Sequence, residues 1–248
     1  MSIDSKIQEL VFHNPIGSID EINESEIVND IWVESSEDLT TESVCGIDQR
    51  QKVVATKQLP HIAICKLYMQ APNEKTYVGS GWLVANDRLY TAGHCLFYSS
   101  SGGWKKSIIV IPAKSGFSEP YGRYHATSLT APQGWTENGS VRYDMGAIKL
   151  NKPVNHNSFI TPVLSEPNSG VVCGYPADRD NGIFQYQMSD RLTKQSGRFL
   201  YQIDTFGGQS GSPLLRNRSQ GVGIHNYGGC LNKSSDLYQS FIDGVANW

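Results

Sequence analysis

Short β-branched and aromatic runs, broken every few residues by Gly, Pro, Asn or Asp, fill the chain beyond residue 43 and leave little room for helices. Residues 52–56, 62–68, 81–85, 88–92, 107–113 and 144–150 form one series. Residues 170–174, 182–193, 199–204, 212–215 and 220–227 form a second. Within the first, 114–142 reads as a long Gly/Pro/Ser loop, and 152–167 reads as the linker between two halves. Strands of this length and spacing, without helical periods between them, fit antiparallel barrels or a sandwich. One helix is expected at the C-terminus, where Ser235 would cap a segment with Leu237, Phe241, Ile242 and Val245 on one face. A chain of 248 residues, 39% of them hydrophobic, can bury a core in one domain or two small ones.

A formal net charge of -3 hides a strong asymmetry. Residues 1–42 carry eleven Asp or Glu against one Lys, while the remainder carries thirteen acids and twenty bases. The leader has apolar clusters at 7–12 and 27–33, too little for a core of its own, and is expected to be a loosely docked pro-segment or tail. In the body the bases are scattered singly apart from Lys105-Lys106, which argues against nucleic-acid binding. No window approaches the roughly 18 apolar residues of a membrane span. Residues 1–6 show no basic stretch followed by an apolar run, so no secretory signal is visible. The five cysteines, Cys45, Cys65, Cys95, Cys173 and Cys230, leave at least one unpaired within a monomer, and none has C-x-x-C spacing. No metal site is expected, and buried thiols are expected for several of the five.

Three stretches carry chemistry. Gly207-Gly208-Gln209-Ser210-Gly211-Ser212-Pro213 suits a nucleophilic serine on a tight turn, whose glycines allow positive φ or close backbone approach. Thr91-Ala92-Gly93-His94-Cys95 places a histidine at the end of one apolar segment, and Tyr143-Asp144-Met145-Gly146 places an aspartate at the start of another. A serine hydroxyl needs an imidazole to take its proton, and the imidazole needs an anion on its other nitrogen to fix the tautomer. Ser210, His94 and Asp144 fit those roles, and the backbone N–H groups of Gly208 and Ser210 would form the oxyanion hole. His94 and Asp144 belong to the first half and Ser210 to the second, so the site is expected at the seam.

These motifs resemble those of chymotrypsin-fold serine peptidases, and Gly174-Tyr175-Pro176, Gly223-Ile224-His225-Asn226 and Cys45-Gly46-Ile47-Asp48-Gln49-Arg50 resemble the bacterial glutamyl endopeptidase branch. The resemblance runs from about residue 43 to the C-terminus. It implies an all-β fold of two antiparallel six-stranded barrels with a C-terminal α-helix, the first barrel over 43–155 and the second with the helix over 156–248. It implies a secreted serine endopeptidase, against which the lack of a visible signal leaves a cytoplasmic location as the alternative; the enzyme is expected to be monomeric and without cofactor or metal, to act on proteins or peptides and to cut after glutamate. Thr205 and His225 match the branch residues that hydrogen-bond the substrate carboxylate, and Asn226, Tyr227 and Gly228 would wall the groove and pair with extended substrate. The branch register places the mature start at Ser43, so the Glu42–Ser43 bond is the expected processing site. Two departures stand out. Gln209 occupies the place of the aspartate that receives the new N-terminus in trypsin-type zymogens, which excludes activation by that ion pair. Cys95 lacks its usual disulfide partner, because the upstream position is Gly79. The alternatives are a processing protease of narrow specificity with another P1 preference, and an inactive chymotrypsin-like binding module.

Overall fold

The first series of runs closes on itself. In the computed structural model, which describes residues 9–15, 17 and 44–248, Ser107–Pro112, Ile64–Gln70, Thr76–Leu83, Arg88–Thr91, Gly146–Leu150 and Tyr124–Pro132 pair in that order. Tyr124–Pro132 then returns to Ser107–Pro112 through Val110↔Tyr124 and Ile109↔His125, completing a six-stranded antiparallel barrel. Its lining is apolar: Leu67, Trp82, Leu89, Leu129 and Ile148 are fully buried in one cluster. Tyr124–Pro132 is the strand that the sequence hid in the expected 114–142 loop. Its half-buried positions are filled by Ala126 and Ser128, so the apolar alternation that announces a strand is weak there.

The second series makes an open ladder. Thr193–Gln195, Arg198–Tyr201, Asn232–Asp236, Gln220–Tyr227, Pro213–Asn217, Ser169–Gly174, Tyr186–Arg191 and Gln51–Lys52 follow one another, with Thr161–Pro162 parallel to Gln220–Tyr227. Among the described residues its two ends do not pair, so the second unit is a half-barrel. It has its own core of Val172, Phe199, Tyr201, Ile203, Leu214 and Val222. The all-β, chymotrypsin-like architecture is therefore as the sequence indicates. Ser235 is a correction: it lies in the strand Asn232–Asp236, and the C-terminal helix Gln239–Ala246 begins after Tyr238 without a side-chain cap.

Each arm of the chain crosses to the other half. Gln51–Lys52 pairs with Tyr186–Arg191 of the second sheet, and Cys45 is disulfide-bonded to Cys230. Cys65, Cys95 and Cys173 remain buried thiols. The C-terminal helix instead packs on the first barrel, with Phe241 fully buried and its ring 4.9 Å from that of Tyr90. Of the leader, Leu10–His13 forms a strand antiparallel to Leu129–Pro132, on the stretch of that edge beyond the two Ser107–Pro112 pairings. Leu10 lies against Gly244 of the helix, and the His13 ring stacks on Trp104 at 5.3 Å. The apolar cluster 27–33, Glu42 and Ser43 lie outside the described residues. No helix among the described residues is long and apolar enough to cross a membrane.

Phe241 joins the helix to the barrel, so Phe241→Ala should cost about 3–5 kcal/mol through the cavity it leaves. Thermal unfolding should show this as a fall in Tm on the order of 10 °C. An unchanged Tm would mean that the helix adds nothing to the barrel's stability.

Candidate active site

Strand register brings His94 and Asp144 together. Gly146 sits opposite Thr91 in the ladder, so Asp144, just before one strand, and His94, just after the other, arrive at the same edge. His94 stands on the single turn Gly93–Leu96. Its backbone N–H donates to Asp144 Oδ1 at 2.8 Å, and its Nδ1 lies 2.7 Å from Asp144 Oδ2. The Asp144 side chain is fully buried, whereas that of His94 is 19% exposed. Burial presses the imidazole towards its neutral form. The Asp144 carboxylate, with Cys95 acting in the same direction, outweighs that and holds the His94 pKa well above the ordinary imidazole value.

Tyr227 and Asn226 complete the surroundings of Asp144. The Tyr227 hydroxyl donates to Asp144 Oδ2, and Asn226 Nδ2 donates to the Asp144 backbone carbonyl. Burial, reinforced by the neighbouring carboxylate, raises the Tyr227 pKa well above its usual value, so the hydroxyl stays protonated and remains a donor. Asn226 Oδ1 accepts from the Ser235 N–H at 2.6 Å. Both side chains were expected as groove walls; they do line the cleft, and their polar atoms are turned towards Asp144 and its neighbours. The signals in the sequence are the Gly223-Ile224-His225-Asn226 motif and their place at the end of the strand Gln220–Tyr227, neither of which points to Asp144. Gly228 follows them and is not among the cleft's lining residues.

Ser210 sits on a turn whose glycines are compulsory. Gly208 has φ +95° and Gly211 φ +88°. A Cβ on Gly208 would stand 2.5 Å from the Tyr175 carbonyl, and one on Gly211 would stand 2.1 Å from that of Ser80. The Gly207 carbonyl accepts from Ala177 N–H at 2.7 Å and the Gln209 carbonyl from Ser212 N–H at 2.9 Å. Because a peptide's N–H points opposite its C=O, these bonds turn the Gly208 and Ser210 N–H groups the other way. Ser80, which the sequence reading did not single out, fixes the same turn from the first barrel. Its N–H donates to the Ser210 carbonyl at 2.9 Å, its Oγ donates to the Gly208 carbonyl at 2.7 Å, and that Oγ accepts from Tyr175 N–H at 2.9 Å.

His94, Ser210 and Gly208 line one cleft of about 320 Å³ between the halves, with Met69, Tyr77, Lys105 and Trp135. Thr205 and His225 are fully buried and are not among its lining residues. Among the described residues Thr205 Oγ1 has no hydrogen-bond partner, and His225 Nδ1 lies 2.7 Å from the Tyr201 hydroxyl. Cys95 Sγ is 3.2 Å from where a Cβ on Gly79 would stand, the Cβ-to-sulfur separation of a disulfide, so the two positions face each other as the family register implies. Such an arrangement can abstract a hydroxyl proton and stabilise an oxyanion.

Residues 79–224 match the family described as "Trypsin-like peptidase domain". A Bacillus subtilis protein named extracellular metalloprotease is 35% identical over 222 residues, spanning 85% of this chain and 71% of that protein. A glutamyl endopeptidase of Bacillus licheniformis is 31% identical over 227 residues, spanning 83% and 69%. A solved structure of a Glu endopeptidase in complex with MPD superposes with a TM-score of 0.72 at 29% identity, covering 82% of this chain and 98% of that one. The first relative's name invokes a metal; among the described residues no three His, Cys, Asp or Glu side chains are grouped to hold one.

The raised His94 pKa has a checkable origin. The His94 Cε1–H resonance should titrate above about 6.5, the ordinary imidazole value. In Asp144→Asn, with that charge gone and only Cys95 left to oppose burial, the midpoint should fall. A midpoint that ignores the substitution would remove Asp144 as its cause.

Proposed function

The chain belongs to the trypsin-like peptidase family and is a serine endopeptidase acting on proteins or peptides, and from that premise we propose that His94, Asp144 and Ser210 are its catalytic triad. The carrying observation is the His94–Asp144 pair, joined through Nδ1 at 2.7 Å, in one cleft with Ser210. With Nδ1 engaged by the carboxylate, Nε2 is the nitrogen left to take the Ser210 proton. Ser210 Oγ then attacks the scissile carbonyl carbon, and the resulting oxyanion is received by the N–H groups of Gly208 and Ser210. Collapse breaks the C–N bond as His94 returns the proton to the leaving amine. A water molecule, deprotonated by His94 in turn, releases the acyl group from Ser210. Because only neutral His94 accepts the proton, activity falls as pH drops through its raised pKa.

The preferred P1 residue is glutamate, held by Thr205 and His225. The relatives named glutamyl endopeptidases support this, as does the buried Thr205 hydroxyl, whose missing partner costs about 1–3 kcal/mol that a substrate carboxylate would return. Asn226, Tyr227 and Gly228 offer their backbone to extended substrate. The leader, 1–42, is a pro-segment released by cleavage at Glu42–Ser43. The charge switch at that point supports this. So does the anchoring just beyond it, where Asp204 accepts from the N–H groups of Cys45 and Gln49, each at 3.0 Å.

A fluorophosphonate probe should label processed protein, with labelling lost in Ser210→Ala; no labelling of processed protein would favour a binding module over an enzyme. In a peptide panel, glutamate at P1 should exceed glutamine, lysine and phenylalanine. His225→Ala should lower kcat/KM on P1 Glu roughly tenfold or more, the scale of one hydrogen bond to a charge, with smaller effects on other residues. Equal rates across the panel would remove Thr205 and His225 from the pocket. N-terminal sequencing of active protein should begin at Ser43, and a start far from that position would refute the processing site.

A further inference from the structure

Lys105 is only 3% exposed, yet it lines the cleft that holds His94 and Ser210. Its Nζ lies 3.3 Å from Ser101 Oγ and 4.5 Å from the centroid of the Tyr77 ring, and among the described residues no carboxylate comes within ion-pairing distance. Two other buried cations, Arg50 and Lys114, have carboxylate partners: Arg50 holds Asp48 and Asp178, and Lys114 holds Glu119. The nearby Glu74 is already taken by Lys106, at 2.5 Å. A buried ammonium without a counter-charge is costly. Burial, only partly offset by Cys95, pushes the Lys105 pKa down to about 8, and an arriving carboxylate would reverse that cost.

The position of Lys105 says which part of a substrate reaches it. Its backbone N–H donates to the Leu96 carbonyl at 2.9 Å, two residues beyond His94, so it lies on the first-barrel side of the imidazole. His94 gives its proton to the departing amine, so the segment leaving with that amine passes this side of the ring. The acyl segment runs along Asn226–Gly228 of the other half. Met69 and Val78, beside Tyr77, supply apolar walls for a side-chain stem.

Resting on the peptidase reading above, we propose that Lys105 is the floor of a leaving-side subsite that takes an acidic side chain, Asp or Glu, at P1′ or P2′ of the substrate. The enzyme thereby selects acidic sequences on both sides of the bond it cuts.

The test uses the full chain after its processing at Glu42–Ser43 and quenched peptides with glutamate at P1 and Ala, Asp, Glu or Lys at P1′ and P2′. At one of these positions an acid should raise kcat/KM over alanine by about tenfold, the scale of a charge-assisted hydrogen bond. Lys105→Gln should bring that ratio close to one, and Lys105→Arg should keep most of it. The ratio is internal to each variant, so a general loss of activity cancels. In the native chain the preference should also shrink as salt is raised. No acid preference in the native chain, or one that survives Lys105→Gln, overturns the proposal. A glutamyl anilide, which has no leaving-side residues, separates the two readings. If the native chain hydrolyses it but shows no acid preference, only the subsite falls. If it hydrolyses neither anilide nor peptides, the triad falls and the subsite with it.

Discussion

The fully buried Asp144 carboxylate is a costly feature of this fold, and the seam is built around relieving it. In a low-dielectric interior an unpaired carboxylate carries a desolvation cost of several kcal/mol. It receives three donors instead: the His94 N–H, His94 Nδ1 and the Tyr227 hydroxyl. Two come from the first barrel and one from the half-barrel, so the carboxylate is satisfied only when both halves are in place. The same bonds fix the imidazole's orientation, because a ring held through one nitrogen by a buried acceptor presents the other to the cleft. Relief of a buried charge and positioning of the histidine are one set of contacts.

The turn that carries Ser210 obeys a similar constraint from the opposite side. Its residues come from the half-barrel, but its carbonyls at Gly208 and Ser210 are bound by Ser80 of the first barrel. Ser80 is itself fixed, since its carbonyl accepts from Thr91 Oγ1 at 2.8 Å, three residues ahead of His94. The turn that carries Ser210 and the segment that carries His94 thus share one intermediary. A shift of either half moves both, which matters because displacements of about 1 Å at a reacting centre can cost on the order of a hundredfold in rate.

What the sequence disclosed follows from what was local. Ser210 between two conformationally forced glycines, His94 at a strand end and Asp144 before a strand are all marked within a few residues of themselves. Gln220–Tyr227, eight residues with apolar and β-branched members, is read with its observed bounds. Tyr124–Pro132 escapes because small residues stand where an apolar period should show, and its burial comes from neighbours rather than composition. Ser235 looks like a helix cap because serine before an apolar run is a capping signal, yet its N–H is claimed by Asn226 Oδ1. Ser80, Tyr227 and Lys105 owe their surroundings to contacts across the seam or the cleft, and no short window of sequence contains those. The disulfide is equally non-local, since Cys45 and Cys230 are 185 residues apart.

That separation bears on how the site stays assembled. Closing a loop of 185 residues removes denatured-state entropy worth roughly 5 kcal/mol in the chain-entropy account. The bond fastens the N-terminal arm to the half-barrel, while the C-terminal helix fastens the other end of the chain to the first barrel. Each arm belongs by sequence to one half and by contact to the other, so the halves cannot slide apart without peeling an arm away. On the N-terminal arm, Arg50 is clasped by Asp48 and Asp178 and reaches Gln209 Oε1 at 3.4 Å. Gln209 Oε1 also accepts from Phe206 N–H at 3.1 Å, and Gln209 directly precedes Ser210. The arm that begins just beyond the leader therefore ends one residue from Ser210, and its contacts with Gln209 bear directly on the turn that carries that serine.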